Sequence, residues 1–539
     1  MSRLGPGRAL ALGFVTVLAI LVPARAASAH AELVSSQPGD GAVVTQAPAT
    51  LTLTFSESVE TVLGAVRLFD SQGQPVAIGA PRHPAGHDDQ VQVATSGLGQ
   101  GTYLVSWRVT SADSHPVQGS FLFSVGQRSA VTADAGAVLA GRSGSRVVGA
   151  LLGASRVTVF AGFALLAGGL AFVAIFGRTA PRMGSVLVGG AAALVVGSLA
   201  SLALQGGYAN GTSLGQSLHP AVWRLTARTD FGRQALWRVA LGAVGAALAL
   251  LATQTRRPWW WRAAALSLGP LAAATLAYAG HAHTGRWPRV GVTADVVHLV
   301  ALAWWLGGLA VLAVTAVRAA DGRDIVSRFS PVALGCVGAV VASGVVQSWR
   351  QVGSLDAFAT TYGRLLLVKL ALVAGLLGVA LVSRRAVHRW TADLRPPSRL
   401  RRALLGELAL GLGVLGVTAG LVATAPARDQ VARPFSTSLL SRGATASLVL
   451  DPARAGAVVV HLYVTPPGGA LAKAAEARLL LSLPTRGVTD LSLPMENTGP
   501  NHFSSQGARI PFRGRWQLTV LVRFGEFDSY TFTTAVNVR

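Results

Sequence analysis

Three groups of histidine and acidic residues carry side chains that can bind a metal ion. The first group combines His30, which follows the small residue Ala29, with the tripeptide Asp113-Ser114-His115. If the chain is cleaved after Ala29, His30 offers its free amine and its imidazole Nδ1, which together chelate a metal ion. An amine, two imidazoles and a carboxylate suit tetragonal Cu(II). From the residues alone, the alternative is that Asp113 forms an Asx turn before Pro116 and that His30 is a solvated end.

The second group lies in and beside long apolar segments. His281 and His283 precede Asp295 and His298, and the last two share one face of a helix because they are three residues apart. Ionisable groups inside membrane spans are costly and mark functional sites by default. We therefore expect a vestibule in which these four residues accept a metal ion. The alternative is that His281 and His283 lie at the membrane interface and that His298 pairs with a neighbouring helix.

Other ionisable residues fall within the same apolar segments: Arg156, Arg238, Lys369 and Glu407. Arg156, Asp295 and Lys369 are close to the expected ends of spans. Their presence there has a simple explanation, since long charged side chains reach from a span to the interface.

The third group lies near the C-terminal end of the chain and comprises His461, Met495, Glu496 and His502. Imidazole and thioether groups are copper ligands. Met495 and His502 are therefore candidates for a second metal site. The alternative is that all four are surface and loop residues.

The second group depends on the apolar block at 147–424. A bilayer core of about 30 Å needs ~20 apolar residues in helical form, and we count about eight such runs, including 263–280. The mean hydropathy of +0.48 fits a membrane protein that also has soluble parts. Arginine is concentrated in alternate loops, most densely at 384–402, and the positive-inside rule places those loops in the cytoplasm. Both ends of the block then face outward.

The net charge of +23 is largely explained by these loop arginines, so we do not expect nucleic-acid binding. Residues 1–29 have Arg3 and Arg8, a short apolar run and a small-x-small site ending at Ala29. This pattern predicts a signal peptide, with an uncleaved anchor as the alternative. The single cysteine, Cys336, lies within a span and excludes an intrachain disulfide and a cysteine metal cluster.

Soluble segments flank the apolar block. Residues 30–127 alternate polar and apolar side chains between frequent turn residues, which predicts an antiparallel β-sandwich or barrel of ~100 residues. Residues 128–146 are rich in Ala, Gly, Ser and Arg and predict a flexible linker. Residues 433–539 predict a second β-sandwich outside the membrane.

A resemblance to a known family rests on His30–Gly41, Leu53–Glu57 and Asp113–Pro116. These segments resemble the copper-resistance protein CopC, which implies a Greek-key β domain whose mature N-terminal histidine forms a histidine brace on Cu(II). The implied ligands are His30, Asp113 and His115, with Glu57 nearby. With only three methionines in the chain, the methionine-rich Cu(I) site of some family members is not expected.

Further resemblance is carried by Gly280–Ala282, Asp295–Leu309, Ser343–Val345 and Tyr362–Lys369. These strings resemble CopD, the inner-membrane partner of CopC, and the C-terminal segment loosely resembles YtkA-like β domains. The resemblance implies a CopC–CopD fusion in the cytoplasmic membrane that takes up copper, with both soluble domains on the extracytoplasmic side. The sequence has no P-loop, no ATPase signature and no nucleophile–base arrangement, so we do not expect an enzyme.

The expected function is Cu(II) binding outside the membrane and delivery of copper for import or homeostasis. Copper and membrane lipid are the expected partners. An extracytoplasmic copper chaperone or reductase is a further one, because Cu(I) favours sulfur ligands that are scarce here. One alternative is a copper sensor or buffer without transport. Another is a haem-type electron-transfer protein, against which the single clear in-span histidine, His298, weighs.

Overall fold

The computed structural model describes residues 31, 33–61, 65–112, 114–127, 129, 145–177, 181–254, 256–284, 287–315, 322–390, 398–428, 435–466, 474–499, 501–525 and 528–538. The predicted signal peptide at 1–29, His30 and Asp113 lie outside these residues, as does nearly all of the predicted linker. Contacts divide the chain into two units. The helical unit comprises residues 144–427 with 113–115, and the β unit holds the strands of both end regions.

The N-terminal region consists of short strands: β1 (Leu33–Gln37), β2 (Val43–Val44), β3 (Thr50–Phe55), β4 (Val59–Glu60), β5 (Val66–Phe69), β6 (Pro75–Val76), β7 (Gln90–Ala94), β8 (Gly101–Ser111) and β9 (Pro116–Val125). One sheet has the order β1-β3-β7, and the other has the order β2-β9-β8-β5-β6 with β4 paired to β8. Alternation in β3 buries Leu51, Leu53 and Phe55, so the core lies between two sheets.

The hairpin of β8 and β9 positions the segment that contains His115. The strands pair antiparallel from Gly101 opposite Val125 to Thr110 opposite Pro116. A Cβ added at Gly119 would lie 2.5 Å from Cζ2 of Trp107, so only glycine leaves room for the indole ring. Four residues connect the end of β8 to the start of β9, and they include Ser114 and His115.

The central region is helical: α1 (Arg146–Phe176), α2 (Pro181–Asn210), α3 (Leu214–Ser217), α4 (Pro220–Arg228), α5 (Asp230–Ala252), α6 (Trp261–Ala277), α7 (Pro288–Thr315), α8 (Gly322–Val352), α9 (Thr361–Trp390) and α10 (Ser398–Val422). Among the described residues, seven of these helices are long and apolar enough to cross a membrane: α1, α2, α5, α7, α8, α9 and α10.

The eighth predicted span, at 263–280, corresponds to α6, which is not among these seven helices. Its 17 residues measure roughly 26 Å at 1.5 Å per residue. Trp261 Nε1 at one end donates to the Leu248 carbonyl oxygen at 3.0 Å, and Arg238 Nη1 donates to the Thr275 carbonyl oxygen near the other end, also at 3.0 Å. Helix α6 therefore runs antiparallel along α5 and returns the chain to the side on which α5 begins.

The C-terminal region is again all β: β10 (Phe435–Ser441), β11 (Ala444–Asp451), β12 (Gly456–Thr465), β13 (Ala474–Leu483), β14 (Val488–Leu493), β15 (Glu496–Gly499), β16 (His502–Ile510), β17 (Gly514–Phe524) and β18 (Asp528–Val538). The sheet β10-β11-β12-β16-β15 and the sheet β14-β13-β17-β18 enclose one apolar core around Trp516. The predicted multidomain membrane architecture, with β structure before and after the helical region in the sequence, is confirmed.

Close backbone contact between α1 and α7 holds the middle of the helical unit together. A Cβ added at Gly168 would overlap the carbonyl oxygen of Ala303 and approach Cα of Gly307 to 2.9 Å. A Cβ at Gly307 would in turn overlap the carbonyl oxygen of Ala164. Small residues at such a crossing let helix backbones approach where lipid supplies no hydrophobic driving force.

We expect Gly168→Ala to lower the stability of the full-length protein by about 1–3 kcal/mol, because the added methyl group forces two packed backbones apart. Thermal unfolding of the purified protein in detergent measures this loss. Gly189→Ala is the matched control, since no atom lies within 4 Å of a Cβ built there. Equal melting temperatures for both variants would contradict the close crossing.

Candidate metal site

His115 is the only residue of the three predicted Cu(II) ligands that the structure describes. Its side chain is buried, with 7% of its surface exposed. Among the described residues, no group of three His, Cys, Asp or Glu side chains is arranged to hold a metal ion. The set of His30, Asp113 and His115 therefore stays a prediction.

The imidazole of His115 stacks on the imidazole of His281. The ring centroids are 4.7 Å apart and the planes are inclined by 15°. His281 is the first residue of a 3-10 turn, His281–His283, that follows α6, and it is as deeply buried as His115. A residue of the first predicted group thus contacts a residue of the second.

Hydrogen bonds to helical residues hold the segment that carries His115. Ser114 Oγ donates to the carbonyl oxygen of Ala279 at 3.3 Å, and Gln205 Nε2 on α2 donates to the carbonyl oxygen of Ser114 at 3.0 Å. Ser114 has a φ of 70°, a left-handed conformation that is uncommon for a residue with a side chain. The segment is therefore fixed by its contacts within the helical unit.

Three of the four predicted vestibule residues line one cavity of about 150 Å³, which is also lined by His115. These residues are His281, Asp295 and His298, and the last two share a face of α7 as predicted. His283 is not part of the lining. Its Nδ1 donates instead to the carbonyl oxygen of Gly280 at 2.8 Å, and its ring lies 6.2 Å from that of Tyr278.

His298 is oriented by a hydrogen bond to α8. Its Nδ1 lies 3.1 Å from Ser343 Oγ, and the Ser343 hydroxyl donates to the carbonyl oxygen of Ala339 at 2.5 Å. Since the hydroxyl proton is used in that bond, Nδ1 of His298 is the donor and Nε2 keeps its lone pair. A neutral imidazole fixed in this way is a suitable metal ligand.

Asp295 is oriented by the same helix. Its Oδ1 accepts a hydrogen bond from Gln347 Nε2 at 3.0 Å. One wall of the cavity therefore presents a carboxylate and an imidazole, one helical turn apart, each tied to a polar side chain of α8. Gln347 was not singled out from the sequence, and Ser343 was noted only as part of the string Ser343–Val345.

The remaining polar lining of the cavity is mainly cationic. Four basic side chains take part: Arg156 on α1, Arg238 on α5, Arg350 on α8 and Lys369 on α9. Arg156 and Lys369 thus line an internal cavity. Extension of their side chains to the membrane interface does not explain their presence in the helices. Arg350 was not singled out from the sequence, and its Nη2 donates to the buried carbonyl oxygen of Thr284 at 3.1 Å.

Family models match three parts of the chain. They are the CopC domain at residues 33–126, the copper resistance protein D-like N-terminal domain at 147–290, and copper resistance protein D at 323–421. The copper transport protein CutJ of Bacillus subtilis (strain 168) is 27% identical over 525 residues, which cover 93% of this chain and 94% of that protein.

Copper resistance protein C of Xanthomonas campestris pv. juglandis is 38% identical over 124 residues, which cover 22% of this chain and 96% of that protein. The crystal structure of CopC from Methylosinus trichosporium OB3b is 29% identical, covers 18% of this chain and 93% of that chain, and gives a TM-score of 0.17. The chain belongs to the CopC–CopD copper-resistance family. With its apolar helices, this CopC–CopD chain is a multi-pass membrane protein.

The third predicted group of the CopC–CopD chain is only partly brought together. His461 Nδ1 lies 3.2 Å from His502 Nε2. His502 on β16 is opposite Tyr463 on β12, and His461, two residues earlier in β12, lies on the same face of the sheet. The His502 ring stacks on Tyr463 with centroids 4.2 Å apart. Met495 packs partly against the apolar core, and Glu496 is exposed.

Two causes lower the pKa of His502 below its usual value of 6.5. The larger is burial, and the smaller is the positive charge of the neighbouring His461. Below pH 6.5, His502 is therefore protonated more readily in the unfolded chain than in the folded chain. Folded-state stability contributed by neutral His502 is present above pH 6.5 and is lost as the pH falls toward the lowered pKa.

We expect His461→Gln to raise the pKa of His502, because it removes the adjacent charge while the burial remains. The measurement is a pH titration by NMR of the full-length protein labelled with ¹³C at histidine Cε1, with His502→Gln to assign the signal. An unchanged pKa for His502 in the His461→Gln variant would show that the charge of His461 does not act on it, and a lower pKa would contradict the expected sign.

Proposed function

We propose that this CopC–CopD protein binds Cu(II) outside the cytoplasmic membrane and passes it through the helical unit for import. The observation that supports the proposal is the stack of His115 on His281. A ligand of the proposed histidine brace and the first ligand of the membrane vestibule are in ring contact. A copper ion held by His115 therefore needs to move only a few ångströms to reach His281.

The proposed capture site uses His30, Asp113 and His115. Cleavage after Ala29 would free the amine of His30, and the amine and Nδ1 would bind copper together with the imidazole of His115 and the carboxylate of Asp113. Nitrogen and oxygen ligands of this kind suit tetragonal Cu(II). Glu57, which precedes the short strand β4 paired to the end of β8, is proposed as a nearby outer residue.

Transfer proceeds as a ligand exchange. The imidazole of His281 binds copper as a brace ligand leaves, and Asp295 and His298 provide the next oxygen and nitrogen ligands on α7. The ion stays Cu(II) throughout this exchange, so no electron donor is needed before it reaches the vestibule. Copper enters the cavity beside the two α7 ligands.

The membrane potential can drive the inward step. A cation that moves to a negative interior gains ~2.3 kcal/mol per charge per 100 mV, so a divalent ion gains ~4.6 kcal/mol. For the ion to enter in this direction, both β domains must lie on the extracytoplasmic side. The antiparallel return of α6 along α5 and the arginine-rich alternate loops support this orientation.

We expect an additional residue before mature His30 to weaken Cu(II) binding by more than ~100-fold. The added peptide bond removes the free amine, and loss of a direct ligand costs more than the 10–100-fold typical of an outer partner. Competition titration of the full-length protein, followed by Cu(II) EPR, measures the dissociation constant. His87→Ala is the control, since this side chain is 59% exposed and lies in a loop. An unchanged dissociation constant would refute the ligand set.

We expect His281→Ala to keep Cu(II) binding at the brace and to reduce uptake of copper-64 into proteoliposomes at least about tenfold, because the receiving ligand is lost. His87→Ala again serves as the control. Wild-type uptake no greater than that of empty vesicles would leave a copper sensor or buffer as the function. Full uptake by the His281→Ala variant would exclude His281 from the route.

A further inference from the structure

The cavity on the proposed copper route is lined by more positively charged than negatively charged side chains. Four basic side chains, Arg156, Arg238, Arg350 and Lys369, line it together with the single carboxylate of Asp295. A guanidinium group stays charged at every physiological pH. Three of the four basic groups are therefore fixed cations, and bare Cu²⁺ entering the cavity meets like charge in a region of low dielectric.

We propose that this cavity binds a small carboxylate anion, either as a free counter-ion or as a ligand that the copper ion carries with it. The second form rests on the proposed copper function, whereas the first does not. An anion of this kind neutralises the basic lining and accepts hydrogen bonds from it. Guanidinium groups bind carboxylates through two parallel hydrogen bonds, which makes arginine a preferred partner for such a ligand.

Arg238 provides the clearest unused donor. Its side chain is only 3% exposed, and its Nη1 donates to the Thr275 carbonyl oxygen. Its Nε is buried and has no hydrogen-bond partner among the described residues. A buried charged donor without an acceptor destabilises the folded protein, and a bound anion would remove that cost.

Lys369, on α9, provides a second donor to the cavity. It lies in the field of Asp295, whose Oδ1 accepts a hydrogen bond from Gln347 Nε2. One carboxylate of the protein therefore faces four basic side chains of the lining. An external anion in the cavity would balance the remaining positive charge.

The size of the cavity limits the anion. The cavity has a volume of about 150 Å³. We expect it to admit a mono- or dicarboxylate of two to three carbons. A carboxylate of this size is also a ligand for Cu(II) through oxygen.

The test uses the full-length protein in neutral phosphatidylcholine nanodiscs and [¹⁴C]oxalate as the probe, measured by equilibrium dialysis without copper and after Cu(II) loading. Arg238→Gln and Lys369→Gln remove one cation each, and Lys369→Arg restores the charge. Arg233→Gln is the matched control, since Arg233 also lies on α5 but is 60% exposed and is paired with Asp230. Cu(II) EPR on the same samples reports the brace separately.

Saturable oxalate binding in the wild type is expected to weaken at least about tenfold in Arg238→Gln and Lys369→Gln, since each loses a charge-assisted hydrogen bond. It should recover in Lys369→Arg and stay unchanged in Arg233→Gln. Binding without copper identifies a free counter-ion, and binding only after loading identifies a copper ligand. Absence of saturable binding in both arms, or equal affinity in wild type, Arg238→Gln and Lys369→Gln, overturns the proposal. Loss of the EPR signal alone would count against the copper function instead.

Discussion

The cost of placing ionisable groups inside an apolar helix bundle shapes this protein more than any other constraint. Lipid offers charged side chains neither water nor counter-ions, so each such group must face a partner or a cavity. Here the polar side chains of α1, α5, α7, α8 and α9 converge on one cavity. The close crossing of α1 and α7 at Gly168 and Gly307 packs these two helices through backbone contact.

This arrangement brings His115 of the first predicted group to the cavity that contains residues of the second group. His115 and His281 are far apart in sequence, yet their rings stack at the edge of the cavity that contains Asp295 and His298. Capture of copper by the CopC part and acceptance by the CopD part would then be consecutive ligand exchanges. The proposed anion would neutralise part of the basic lining before a doubly charged ion enters the cavity.

Much of this architecture could be predicted from the sequence because apolar length and strand alternation act locally. The β domains and the helical region follow from such patterns, and the family resemblance from short strings around Asp113 and Asp295. The relation of His115 to His281 could not be predicted, because it depends on a loop contact across more than 160 residues. Arg350 and Gln347 were missed for a similar reason: a polar residue near a helix end has the same pattern whether it faces solvent or a cavity. Helix α6 begins two residues before the predicted run at 263–280 and ends three residues before the end of that run, because apolar composition continues past the helix into the turn before His281.

The central claim is that copper moves from a site containing His115 to His281. Rapid-mixing Cu(II) EPR of the full-length protein in nanodiscs tests it most directly, by following the signal of the first bound Cu(II) over time in the wild type and in the His281→Ala variant. The account predicts that the initial signal converts to a second nitrogen- and oxygen-ligated signal in the wild type and persists in the variant. Conversion at the same rate in both proteins, or no conversion in either, would contradict it.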